Sequence, residues 1–461
     1  MPILYDGQTK TFRLDAKDAS YAFLINQYGY LQHLYYGAHI SDTDLSQLAY
    51  TAGHSSIHVQ PAGYFGDYFS LDVSRMEYPC FGRGDCRGTA LSIRRSDSGT
   101  VDTDLTYVSH RIVPGKPALQ DQPATYAGED EADTLEILCR DAVSGAEVTL
   151  FYTVFRDLAV ITRRVSIRNA GEQVLELERA LSVCVDFPDA SDMDVIHLYG
   201  EWAKERTVER IPMMHGTQSV GSLRGASSHI HNPFLAVCAQ DATEAYGDVC
   251  GFTLVYCGNF LASAEMDSDG GGRVLMGIHP QGFRWRLEPG ECFDTPEAVT
   301  VWSSRGLGGM SRTFHKLYAK HLVRGKWKTE RRPILINNWE ATYFHFDEEQ
   351  IFGIAEEASR LGIEMLVLDD GWFGKRDNDK SGLGDWFVNE NKLHGGLKKL
   401  VDRIHGLGMK FGIWFEPEMV SPDSDLYRAH PDWALQTPGR ALSVGRNQYI
   451  LDMTRKEVQD Y

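Results

Sequence analysis

Acidic residues and tryptophans recur together in the last third of this sequence. Glu340, Asp369, Asp370, Glu416 and Glu418 fall near Trp339, Trp372, Trp386 and Trp414, and Arg446 follows in SVGRNQ. That combination suits a neutral sugar. Carboxylate oxygens accept hydrogen bonds from neighbouring hydroxyls, and an aromatic face packs against the C–H face of a sugar ring. Any one of these tryptophans could equally be core packing. Adjacent residues of an extended chain point to opposite faces, so of Asp369 and Asp370 one can hold backbone while the other meets a ligand. Glu416 and Glu418 share a strand parity around Pro417, whose missing N–H suits a strand end. They read either as a general acid or base or as ion-pair partners of a nearby helix. Arg446 is a candidate clamp for a carboxylate or a sugar hydroxyl, although a lone arginine is ordinarily a solvated side chain.

Other chemistries are less well provided for. His229 and His231 have metal-like spacing on one strand, but no third ligand is close in sequence, so they read as structural histidines. Gly82, Gly84 and Gly88 lie in GRGDCRG, which is not the dinucleotide fingerprint and opens no helix. No phosphate-binding GxxxxGK[ST] loop occurs. A metal-assisted site would need three carboxylates converging on one ion, for which Asp370, Glu416 and Glu340 are the available set.

The elements that must position the acidic residues are legible from periodicity. ILINNW (334–339) reads as a strand. Asp347 with Gln350 forms a capping box, and Ile351, Ile354, Ala355, Ala358 and Leu361 follow at helical spacing until Gly362. IEMLVLDD (363–370) reads as a buried strand. Leu397, Leu400, Val401, Ile404 and Leu407 mark a second helix, stopped by Gly408, and MKFGIWFEPE (409–418) reads as a third strand. A βαβαβ series implies parallel strands with right-handed crossovers, and each strand ends in acidic residues. In a (β/α)8 barrel that carboxyl-end rim carries the active site. A doubly wound sheet would use the same edge.

The preceding 300 residues read differently. EVTLFYTVF (147–155) and LAVITRRVSIRN (158–169) are β-branched and aromatic, Asn169-Ala170-Gly171 reads as a turn, and DSDGGG (267–272) as a hairpin end. Short strands with such punctuation predict a sandwich. MSRTFHKLYAKHLVRG reads as a linker helix. The expected organisation is a β-sandwich domain over 1–305, a linker helix over 306–330 and a barrel-type domain over 331–461.

Composition agrees with a soluble globular protein: 43% of the 461 residues are apolar and 24% charged. A net charge of −18 disfavours a nucleic-acid backbone or an anionic membrane as partner. The start MPILYDGQTK has no basic segment leading into an apolar one, and no apolar run reaches the ~18 residues of a membrane span. The eight cysteines are scattered without a CxxC pair, so they read as mostly buried free thiols. The expectation is a cytoplasmic protein.

Several long motifs resemble the α-galactosidases of glycoside hydrolase family 36, specifically the larger bacterial type. They are PILINNWEATYF (333–344), LVLDDGWFGKRDNDKSGLGDW (366–386), FGIWFEPEMVSPDSDLY (411–427) and LDMTRKEV (451–458), with RALSVCVDFP (179–188), GASSH (225–229) and TPEAV (295–299) in the amino-terminal part. The resemblance implies an amino-terminal β-supersandwich followed by the first part of a (β/α)8 TIM barrel. It implies a retaining exo-hydrolase of terminal α-galactosyl units in raffinose-type oligosaccharides and melibiose, without cofactor and often a homotetramer. Matched motif by motif, Trp339, Asp369, Asp370, Trp414 and Arg446 take the place of galactose-binding residues. The two aspartates would grip the hydroxyls that distinguish galactose from glucose. Glu416 and Glu418 become supporting residues.

The sequence departs from the family pattern in one respect. The family's nucleophile is an aspartate in a Lys-aromatic-Asp motif on the next barrel strand, its acid/base aspartate comes later, and neither motif occurs within residues 1–461. Retaining chemistry needs two carboxylates about 5 Å apart, so the catalytic pair is expected outside this stretch and the stretch alone is expected to be inactive. The family's loop reaching a neighbouring subunit corresponds to residues 51–69, which match too loosely for a residue to be transferred. The alternatives are a non-catalytic sugar-binding or inactive remnant protein, or an α-N-acetylgalactosaminidase on the same frame. Three parallel strands also predict an open, aggregation-prone edge.

Overall fold

A computed structural model describes residues 2–41, 44–49 and 69–461. The segment 51–69 therefore lies outside the described residues apart from Phe69. The chain forms two compact units, Met1–Lys328 and Thr329–Tyr461.

Three antiparallel sheets build the first unit. Ile3–Asp6, Thr11–Ala16, Ala19–Ile25 and Leu31–Ala38 form a four-stranded meander. A ten-stranded sheet runs from Lys204–Pro212 at one edge to Thr106–Pro114 at the other, with Ala146–Phe155 and Val160–Asn169 paired inside it. A six-stranded sheet is centred on Leu175–Phe187, and its strands Phe260–Met266 and Gly272–Ile278 form the hairpin expected around DSDGGG. Alternation explains the layering: along Ala146–Phe155 buried residues alternate with half-buried ones before the strand dives fully inside. Phe12 and Phe23, Ile137 and Tyr152, and Leu181 and Val274 bring all three sheets into one core. The helix Gly306–His321 belongs to this unit, because Met310, Phe314 and Leu317 are buried against Val160, Val299 and Val301. Of the eight free cysteines, Cys139, Cys184, Cys238 and Cys250 are buried; burial pushes the Cys139 thiol up to about 12.

Two buried charge clusters fasten the segment after residue 69 to the sheets. Glu77 accepts hydrogen bonds from the hydroxyls of Tyr21 and Tyr152, at 2.8 and 2.6 Å, and sits 3.5 Å from Arg163. Arg273 donates to both oxygens of Asp186, at 2.7 and 2.8 Å, and to Asp85 at 2.9 Å.

The second unit opens with three parallel strands, Leu335–Asn337, Met365–Leu368 and Lys410–Ile413, in that spatial order. The helix Glu348–Arg360 begins with the expected capping box of Asp347 and Gln350, and ends before Gly362 at φ +82°. The second connecting helix is Gly396–Gly406. Ile351, Ala355, Ala358, Leu400 and Ile404 bury one face of each helix against Leu366 and Leu368. Two strand readings need correction. The first strand stops at Asn337, and Trp339 instead begins a helical turn, Trp339–Thr342. The third stops at Ile413, so Glu416 and Glu418 lie past the ladder and no strand parity relates them. Pro417 cannot donate to a neighbour, which is consistent with the ladder ending before it. Beyond it, Met419–Val420 pairs antiparallel with Tyr449–Ile450. Among the described residues no helix is long and apolar enough to cross a membrane.

The Asp186 cluster generates a pH prediction. Burial alone would raise this carboxyl, but the charge and hydrogen bonds of Arg273 outweigh it and hold Asp186 down at about 2, below the usual 3.8. A depressed folded value stabilises above the unfolded one and is lost as pH falls from about 4 towards 2. The linkage amounts to roughly 2 kcal/mol. Urea midpoints of the intact chain over that range should fall with pH, and Asp186→Asn should lower the plateau and flatten this part of the slope.

Candidate functional site

Parallel pairing aligns three strand ends on one edge. Asn337 pairs with Val367, and Leu368 with Ile413. Two further backbone bonds extend this order past the strands, Asn338 N–H to the Val367 carbonyl at 3.3 Å and Trp414 N–H to the Leu368 carbonyl at 2.9 Å. Trp339, Asp369, Asp370 and Trp414 are thereby delivered to the same rim.

Asparagines orient the first aspartate. The Asn337 amide donates to Asp369 Oδ2, while its Oδ1 accepts the Trp339 N–H at 2.8 Å. Asn338, fully buried, accepts the Asp369 N–H at 2.8 Å and donates to Thr342 Oγ1 at 2.8 Å. Asp369 Oδ1 in turn accepts the Asp370 N–H at 2.7 Å. Asp369 thus does hold backbone, and it stays half-buried.

Asp370 is buried and paired. Arg376 Nε donates to its Oδ1 at 2.9 Å and Nη2 to its Oδ2 at 2.8 Å, and neither side chain is more than 3% exposed. The glycine-rich loop makes this reach possible: Gly382 has φ +75°, and a Cβ there would lie 2.9 Å from the Arg376 nitrogen. Lys392 Nζ ties the loop down by donating to the carbonyls of Phe344, Gly371 and Arg376 at 3.0, 3.0 and 3.1 Å.

The tryptophans divide into two groups. Trp372 is buried and donates Nε1–H to the Trp414 carbonyl at 3.0 Å, so it is a core residue that fixes the third strand's end. Trp414 is half-buried and stacks on Phe373, and Trp386 packs edge-on against it. Trp339 is half-buried and braced edge-on by Tyr343 and Phe344.

Arg446 and Asn447, at φ +51° and +62°, are the central residues of a two-residue turn closed by Gly445 and Gln448. The Arg446 side chain is 63% exposed, with Nη1 3.7 Å from Glu416 Oε2. Burial pushes the Glu416 carboxyl up, and Arg446 offsets part of that rise. Glu418 is exposed. Glu340 is turned aside and accepts from the Tyr343 hydroxyl at 3.0 Å. Among the described residues no group of three or more His, Cys, Asp or Glu side chains is placed to hold a metal ion.

Reading the sequence missed Asn337, Asn338, Arg376 and Lys392. The paired asparagines at a strand end were a usable signal. The arginine was not, because its partner is set by the loop's path and not by helical or strand spacing.

The amino-terminal sandwich and the parallel strand–helix units, whose strand ends carry a rim of carboxylates and indoles, define a sandwich followed by the start of a barrel-type domain. Residues 29–288 match the glycosyl hydrolase family 36 N-terminal domain, and residues 292–461 match melibiase. The alpha-galactosidase AgaA of Geobacillus stearothermophilus is 50% identical over 463 residues, covering 100% of this chain and 63% of the relative. Mel36A of Lactobacillus acidophilus is 42% identical over 459 residues, covering 99% and 62%. Among solved structures, a substituted AgaA in complex with raffinose matches with a TM-score of 0.95 and 50% identity, over 98% of this chain and 62% of the other. The galactosidase domain of the alpha-galactosidase–sucrose kinase AgaSK matches with a TM-score of 0.97 and 43% identity, over 99% and 63%. The chain belongs to glycosyl hydrolase family 36. It spans a little under two thirds of the length of these relatives.

Asn338 is the residue on which the rim's backbone depends most. Asn338→Ala leaves the Asp369 N–H without its acceptor and should destabilise the protein by about 1–3 kcal/mol, read from urea midpoints. The wild-type midpoint in the variant would show that the bond carries no weight.

Proposed function

We propose that this family member is a retaining exo-α-galactosidase, releasing terminal α-D-galactosyl units from raffinose-type oligosaccharides and melibiose. The observation that carries the reading is the placement of Asp369 and Asp370 at one strand end between Trp339 and Trp414, in a chain 50% identical to the alpha-galactosidase AgaA. In this reading Asp369 and Asp370 accept the hydroxyls that distinguish galactose from glucose, Trp339 and Trp414 present ring faces to the sugar, and Arg446 closes over the site. Arg446 stands 3.7 Å from Glu416, whose carboxylate would steady the clamp. Retention requires a nucleophile and an acid/base carboxylate on opposite sides of the glycosidic bond; neither is assigned to residues 1–461, whose part is to bind and orient. The proposal extends to a homotetramer, as the resemblance implies, and to a cytoplasmic location, as expected from the composition and the amino-terminal sequence.

The gene product should be assayed with raffinose, melibiose, p-nitrophenyl α-D-galactoside and the corresponding α-N-acetylgalactosaminide. Galactose should be released from the first three, as the α-anomer at first by NMR. Asp369→Ala and Asp370→Ala should each lower kcat/KM by about 10²-fold or more, the loss of charge-assisted hydrogen bonds to the sugar. Galactose binding without hydrolysis would point instead to a non-catalytic binding protein, and preference for the acetamido sugar to an α-N-acetylgalactosaminidase.

A further inference from the structure

We propose that Arg376 is a positioning residue for sugar recognition, holding Asp370 as a fixed, acceptor-only carboxylate whose remaining lone pairs admit only donating hydroxyls of a galactosyl unit. The inference rests on the galactoside reading above and deepens it by naming what sets the geometry of one of its two aspartates.

The contacts argue for this role in three ways. First, Asp370 is 2% exposed and Arg376 is 0% exposed, so neither side chain meets bulk water. A carboxylate at that depth stays ionised only with a partner. An ionised carboxyl accepts and never donates, whereas a protonated one gives a donor on one oxygen. Second, the pairing is a fork. Arg376 Nε and Nη2 occupy the side of the carboxylate that faces the loop, at 2.9 and 2.8 Å. A carboxylate offers about four acceptor positions, and in the galactoside reading those facing away from the guanidinium take the sugar's hydroxyls. A planar fork fixes the carboxylate's rotation, which a lysine point charge cannot do.

Third, the arginine is itself immobilised. Its Nη1 donates to the Ser381 carbonyl at 3.0 Å, its own N–H to the Phe373 carbonyl at 3.1 Å, and its carbonyl accepts Lys392 Nζ at 3.1 Å. The Phe344 ring lies 5.5 Å from the guanidinium carbon. The loop 371–385 is therefore folded around one side chain that points at one rim carboxylate. A pair needed only to hold the loop could sit anywhere along it; this one is spent on a rim aspartate beside Asp369.

The charged groups around Asp370 are few enough for a clean test. Asp369 precedes it, and Glu416, with Arg446 beyond, contributes from the segment after the third strand. Lys392 is near as well, its Nζ donating to the carbonyls of Gly371 and Arg376 at 3.0 and 3.1 Å and pairing with Asp377 at 2.9 Å. Among the described residues only Arg376 donates to the Asp370 carboxylate.

The experiment uses the gene product and reads KM and kcat for p-nitrophenyl α-D-galactoside, and inhibition by D-galactose, between pH 5 and 8. Arg376→Met should raise KM and the galactose Ki at least tenfold, with a smaller change in kcat. Arg376→Lys should recover part of the affinity. In an Asp370→Asn background, Arg376→Met should add less than threefold. Unchanged Ki in Arg376→Met, or losses from the two positions that simply multiply, would overturn the inference. If Arg376→Met does not fold, the double variant and Arg376→Lys decide the matter: Arg376→Lys at full parental affinity refutes it. A parent that neither binds nor hydrolyses galactosides overturns the galactoside reading itself. An active parent with indifferent Arg376 variants overturns only the role given to Arg376.

Discussion

The candidate site depends on parallel register. Because Leu335–Asn337, Met365–Leu368 and Lys410–Ile413 run in the same direction, their carboxyl ends share one edge, and every residue following a strand arrives there. The backbone bonds from Asn338 to Val367 and from Trp414 to Leu368 carry that order just beyond the strands. A slip of one residue would reverse the face of each side chain, exchanging the environments that Asp369 and Asp370 now occupy and separating Asp370 from Arg376. The apolar faces of the two connecting helices, on Leu366 and Leu368, are what prevent it.

Around that edge, two of the carboxylates are each paired with an arginine. Asp370 is answered by Arg376, and Glu416 by Arg446. The first pair is buried and rigid, the second half-open on a tight turn. For a neutral ligand the overall charge of −18 is of little consequence, so local pairing and not the global field sets what the rim can accept. The sandwich unit uses the same device for another end. Glu77 with Arg163, and Arg273 with Asp186 and Asp85, hold a loop segment to the sheets from within the core.

Much of this was readable in advance, for a common reason. Capping by Asp347 and Gln350, the stops at Gly362 and Gly408, and the hairpin at DSDGGG are local signals, complete within a few residues. The βαβαβ order and its acidic strand ends follow from periodicity. Local reasoning failed where a residue's place depends on a distant partner. Trp339 leaves the extended conformation because the Asn337 side chain captures its N–H. Glu416 and Glu418 lost their shared parity once the ladder ended at Ile413. Arg376 looks like one more charge in KRDNDK until the loop's left-handed glycines turn it back towards Asp370. The five residues assigned by resemblance, Trp339, Asp369, Asp370, Trp414 and Arg446, carried no such information about their supports.

The most direct measurement is a crystal structure of the gene product soaked with D-galactose, beside a matched soak with D-glucose. The account predicts galactose at the rim, its hydroxyls donating to Asp369 and Asp370, with Trp339 and Trp414 against the ring and the Asp370–Arg376 fork undisturbed. Galactose seated elsewhere, or glucose held equally well by the same two carboxylates, would contradict it.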